Sequence, residues 1–87
     1  MKDVRRMSVK EAGSAALKQA TEFLADSGTN GYVGQLLEPA PDVTRTENIG
    51  KVPRHWTVAV EWTLNGNIVD GPSVIRLDLL ERTSDWL

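Results

Sequence analysis

Apolar positions along the chain fall into two distinct rhythms. Between Ser8 and Ser27 they recur at helical spacing: Val9, Ala12, Gly13, Ala16, Leu17, Ala20, Phe23 and Leu24 share one stripe, opposite Lys10, Glu11, Ser14, Lys18, Thr21 and Glu22. This pattern predicts an amphipathic helix with one buried face. Ser8-Val9-Lys10-Glu11 fits a capping box, in which hydroxyl and carboxylate each satisfy the other residue's amide. Gly28 is expected to supply a left-handed stop.

The second rhythm has a period of two. In His55–Leu64, Trp56, Val58, Val60, Trp62 and Leu64 alternate with His55, Thr57, Ala59, Glu61 and Thr63. That predicts a strand in a sheet with one covered and one wet face. Asn65-Gly66 signals a hairpin, and Asp70-Gly71-Pro72 a second turn, so the connection reads as either tight or wide. Ser73–Arg82 is the expected partner strand, followed by Thr83–Leu87 as a short tail ending near Trp86. Tyr32–Glu38 reads as a further strand, with Gly34 marking a bulge.

Pro39–Arg54 shows neither rhythm. It carries Pro39, Pro41, Gly50 and Pro53 among isolated apolar residues. It reads either as a loop or, around Val43–Ile49, as a short edge strand. The bulky strand face with Trp56 and Trp62 matches the small helix face with Ala12, Gly13, Ala16 and Ala20. The expected fold is therefore α+β: an N-terminal helix packed on one face of a three- to four-stranded antiparallel meander. Residues 1–87 form a single domain, with 1–7 as a flexible tail.

Composition narrows the function. At 87 residues the chain buries only about 60–65% of its unfolded surface, so self-association or a partner would help it. The formal charge of −2 and the scattered basic residues disfavour nucleic acid. Lys2, Arg5 and Arg6 read as a solvated tail. The lack of cysteine excludes disulfides, thiolate metal sites and cysteine nucleophiles, and favours the cytoplasm. Met1–Lys10 has no apolar run that would suggest a signal peptide, and no stretch suits a membrane span.

Candidate chemistry is sparse. His55 is the single histidine. Along one strand it stands roughly 20 Å from Glu61 and reads as an exposed strand-end residue. Glu61 is expected to face Arg76 or Thr63 across the sheet. Gly28, Gly31 and Gly34 follow a helix instead of opening one, so they form no phosphate cradle. Tyr32, Trp56 and Trp62 lack interleaved cations and read as core. No catalytic, cofactor or metal residue is expected. Partner contacts are expected from Arg45, Glu47, Ile49, Lys51 and Arg54 in the aperiodic segment, and from Trp86. Trp86 either folds back onto the core or is presented to a partner.

Val9-Lys10-Glu11-Ala12, Ala20-Thr-Glu-Phe-Leu24 and Trp56-Thr-Val-Ala-Val60, in this order, resemble the small bacterial PepSY-like helix-plus-meander domains. Trp56–Glu61 also resembles part of the Gly-Trp-x-Val-x-x-Glu strand of the gas vesicle accessory protein O family. An acidic, Leu-rich strand here replaces that family's basic C-terminal strand. The resemblance implies a non-catalytic binding, inhibitory or accessory role. The expected function is a small protein-interaction module: an accessory subunit, inhibitor or immunity-type protein, acting through a protein partner or self-association. The alternative is a small enzyme or ligand-binding domain that uses carboxylates.

Overall fold

The computed structural model describes residues 4–69 and 71–87. A 3-10 turn, Val4–Arg6, precedes helix α1, Val9–Ser27. Among the described residues eight strands follow: β1 Val33–Leu36, β2 Ala40–Pro41, β3 Asn48–Ile49, β4 Val52–Pro53, β5 His55–Leu64, β6 Asn67–Ile68, β7 Ser73–Asp78 and β8 Thr83–Trp86. The main sheet runs β1-β5-β7-β8, with β2 and β6 also paired to β5. Every pairing is antiparallel. The α+β fold is therefore as expected, with more strands than the periodicity announced.

The capping box forms as read: Glu11 N donates to Ser8 Oγ and Ser8 N to Glu11 Oε1, both at 3.1 Å. Gly28 has φ 74° and ψ 154°, so it ends the helix by turning into extended backbone, not through a left-handed helical cap. The buried face is narrower than the apolar stripe. Ala12, Gly13, Ala16 and Ala20 are buried, whereas Val9 and Leu17 at its margins are 51% and 36% exposed. The alanines join Trp56, Val58, Val60, Ile75 and Leu77 in one core, and Trp62 packs at its edge.

Because Ala16 is fully buried there, Ala16→Leu should overpack the helix–sheet layer and cost about 1–3 kcal/mol. Urea unfolding checks this; a wild-type midpoint would mean that the layer has room to spare.

Three boundaries depart from the periodicity. Gly34 sits in register opposite Trp62 with no bulge. Glycine suits the close approach there: a Cβ would lie 3.0 Å from both Trp62 and Val60 and 3.1 Å from Leu24, so those side chains would have to give way by a few tenths of an ångström. The expected strand Ser73–Arg82 stops at Asp78. Its carboxylate accepts the amides of Leu80 and Glu81 and so folds a turn. Arg82, at φ 57°, then leads into β8, so the expected tail is a paired strand. Val43–Ile49 is not a single edge strand. Ala40–Pro41 pairs with β5, and Asn48–Ile49 with Val52–Pro53 makes a separate ribbon. Of the expected tail, residues 1–3 lie outside the described residues, and Val4 packs against the core. Asn65 and Gly66, at φ 52° and 81°, make the tight turn that pairs Leu64 with Asn67. Asp70 of the second turn also lies outside the described residues.

Candidate functional site

Strand alternation carries the Trp62 side chain to the helix-covered face, two residues beyond Val60. Strand β7 begins with Ser73 opposite Val60, so it does not flank Trp62. From β8, Trp86 lies opposite Ile75 on the same face. The rings then form a run. Phe23 and Trp86 centroids are 5.3 Å apart, Trp86 and Trp62 6.1 Å, and Trp62 and Tyr32 6.5 Å in an edge-on arrangement. Such contacts are each worth about 0.5–1.5 kcal/mol beyond area burial, so the rings hold one another in place.

Tyr32, Trp62 and Trp86 of this run floor a cleft of about 680 Å³ at the hairpin end of the sheet. The helix end, Ser27–Asn30, forms one wall, and Ile68 and Val69 form the other. None of the lining residues is charged. Tyr32 and Trp86 each remain 38% exposed, which leaves ring surface for a ligand. Trp56 Nε1 donates to Pro53 O at 2.7 Å and Trp62 Nε1 to Ser73 Oγ at 3.0 Å. Among the described residues, Trp86 Nε1 and Tyr32 Oη have no such partner. The cleft thus offers apolar faces and two unused donors.

A second concavity, about 570 Å³, lies between α1 and the turn after β7. Arg5, Lys18 and Arg82 line it together with Glu22.

The residues expected to bind a partner are divided by the fold. Trp86 stands in the cleft, so it folds back and yet stays partly presented. Arg45 donates to Asp42 at 2.9 Å. Ile49 is buried. Arg54 bonds Asp78 through Nε at 3.0 Å and Nη2 at 2.8 Å, and Glu47 through Nη1 at 3.2 Å. Lys51 is exposed at the ribbon tip. Arg54 and Glu47 therefore hold the ribbon closed, and Arg45 is held by Asp42 in the turn before it.

His55 is buried, contrary to the exposed position expected of it. The ribbon covers the start of β5: Nε2 lies 3.7 Å from Glu47, and Nδ1 lies 3.9 Å from Asp78 without a hydrogen bond. Glu61 faces Gln35, not Arg76. Arg76 lies between Thr57 and Asp85 and bonds Asp85 at 3.2 Å.

Asp42 and Asp78 are the buried carboxylates, and each is occupied internally. Burial pushes the Asp42 carboxyl up. Hydrogen bonds from Thr44 and Arg45, with the Arg45 charge, outweigh this and hold it well below the usual carboxylate range. Among the described residues no cluster of three or more His, Asp or Glu side chains could hold a metal. No helix among them is long and apolar enough to cross a membrane.

The reading of Tyr32, Trp56 and Trp62 as one core group holds in full for Trp56 and in part for Trp62, which packs at the core edge, while Tyr32 is exposed. Tyr32 and Trp62 join Trp86 in the cleft. The signal lay in spacing: Trp62 is at the far end of β5, past the reach of its neighbour. Comparison with protein-family models, curated proteins and solved structures found no match to this chain.

Proposed function

We propose that this chain is a small non-catalytic protein-interaction module of the accessory, inhibitory or immunity type, working in the cytoplasm, that takes its partner in the aromatic cleft. The carrying observation is the uncharged cleft floored by Tyr32, Trp62 and Trp86, with Trp86 Nε1 and Tyr32 Oη unused. Exposed aromatic side chains that are already held rigid lose little entropy on binding, and Trp and Tyr dominate interface hot spots. An uncharged lining suits an apolar partner segment whose backbone carbonyls accept from the two donors.

The test uses the tagged full chain to capture a partner from its native host, followed by affinity measurements on variants. Trp86→Ala should weaken binding by about thirtyfold or more, the scale of a hot-spot loss. Lys51→Ala should bind like wild type and barely change the melting temperature, because an exposed charge adds little to stability. A loss confined to Lys51→Ala would place the interface on the ribbon and refute the cleft.

A further inference from the structure

The sheet face turned away from α1 carries an apolar stripe that the register reveals. Leu37 N donates to Ala59 O, Ala59 pairs with Val74, and Leu87 N donates to Val74 O. Leu37, Ala59, Val74 and Leu87 therefore lie side by side across β1, β5, β7 and β8, or their immediate extensions. At about 4.8 Å per strand the stripe is about 14 Å long. Alternation sends these side chains outward, because Val58, Val60 and Ile75, one residue away, are buried under the helix. Leu37 and Leu87 are 39% and 77% exposed, and Ala59 and Val74 are half-buried.

The rows flanking the stripe differ in charge. On one side lie Gln35 and Glu61. On the other lie Thr57, Arg76 and Asp85. We propose that this open face packs against the same face of a second copy of the chain, about a two-fold axis running along the stripe.

The axis follows from the charges. A two-fold along the stripe lays Leu37, Ala59, Val74 and Leu87 on their own counterparts. It also exchanges the flanking rows, so that Glu61 of each copy faces the row containing Arg76 of the other. Glu61 and Arg76 sit on neighbouring strands, within reach of an arginine across sheets stacked about 10 Å apart. Asp85, on β8, is two strands removed from Glu61, so the like charges stay apart. An axis along the strands would instead set Arg76 over Thr57 and leave Glu61 without a cation. A second copy thus meets the face with both apolar and charge complementarity. The cleft lies on the opposite face, so this inference stands apart from the partner reading.

Analytical ultracentrifugation of the full chain at about 100 μM, where a micromolar Kd fills the dimer, tests it. Wild type should sediment as a dimer. Glu61→Arg and Arg76→Glu should each weaken it by about tenfold or more, since like charges then face each other. The double swap Glu61→Arg/Arg76→Glu should restore most of the affinity. Both swaps lie on the wet face; Arg76→Glu also sets a second acid opposite Asp85 in its own chain, an exposed pair of modest weight, so far-UV circular dichroism and urea unfolding confirm that each variant is folded. A monomeric wild type, a dimer indifferent to the single swaps, or a double swap that fails to recover would each overturn the proposal.

Discussion

Asp78→Ala should cost the fold about 3 kcal/mol, because it breaks a buried, charge-assisted network at one end of the sheet. Asp78 is 8% exposed. It accepts from Arg54 Nε and Nη2 and from the amides of Leu80 and Glu81. Alanine leaves those amides without acceptors and Arg54 with Glu47 alone. The damage should spread along the chain, since the turn that Asp78 folds is what returns β8 to the sheet and brings Trp86 to the cleft. Asp78→Asn keeps an acceptor for the amides but turns an NH₂ group toward Arg54, so it should recover only part of the loss. Urea unfolding of both variants checks the order.

The same carboxylate sets an acid limb. Burial alone would raise its pKa; the hydrogen bonds from Arg54, Glu81 and Leu80 and the Arg54 charge outweigh it and lower it from 3.8 to about 2. A depressed folded-state value means that the stabilisation is complete above the unfolded value of 3.8 and is lost as pH falls through about 2. The shift corresponds to about 2 kcal/mol lost across that window. Asp42, depressed by Thr44 and Arg45, adds a loss of the same sign that extends to more acid pH. Asp78→Ala should flatten the slope between about pH 4 and pH 2. An unchanged slope would move the acid sensitivity to other carboxylates.

Legibility in the sequence tracked how local each determinant is. The capping box, the β5 alternation and the Asn65-Gly66 turn depend on neighbours within a few residues, and all three form as read. The 39–54 segment was illegible because two-residue strands have no period to detect. What closes it is Arg54 on Asp78, 24 residues apart, and the burial of His55 follows from that closure. Thr83–Trp86 reads as polar because three of its four residues are exposed at a sheet edge. Its pairing depends on the turn at Asp78. The cleft inherits the same difficulty: Trp62 was placed by local alternation, but Trp86 reaches it only through β8. The partner contacts expected between Arg45 and Arg54 rest mainly on charge in an aperiodic segment, and most of those charges are bound internally.

Trp56→Ala should have the larger effect, about 3–5 kcal/mol, because Trp56 is 3% exposed and joins three parts of the fold. Its ring lies over Gly13: a Cβ there would be 3.5 Å from Cζ3. Its Nε1 donates to Pro53 O at 2.7 Å, tying the ribbon to β5, while Val52 beside Pro53 enters the same core. Its backbone pairs with both Pro41 and Leu77. Trp56→Phe separates these roles. It keeps a ring against Gly13 but removes the bond to Pro53, so it should cost about 1–2 kcal/mol. The loss should be regional. Amide exchange at Arg54, whose N–H bonds Glu47 O, should speed up more than exchange within the β5–β7 ladder. Uniform acceleration would mean that the indole bond supports the whole domain and not the ribbon. Trp62, six residues further along β5, lies about 20 Å away. Loosening the ribbon in Trp56→Phe should therefore leave the cleft intact, and a partner held by Trp86 should bind this variant with wild-type affinity. A partner that loses affinity for Trp56→Phe as the ribbon loosens would instead be reading the ribbon surface around Lys51.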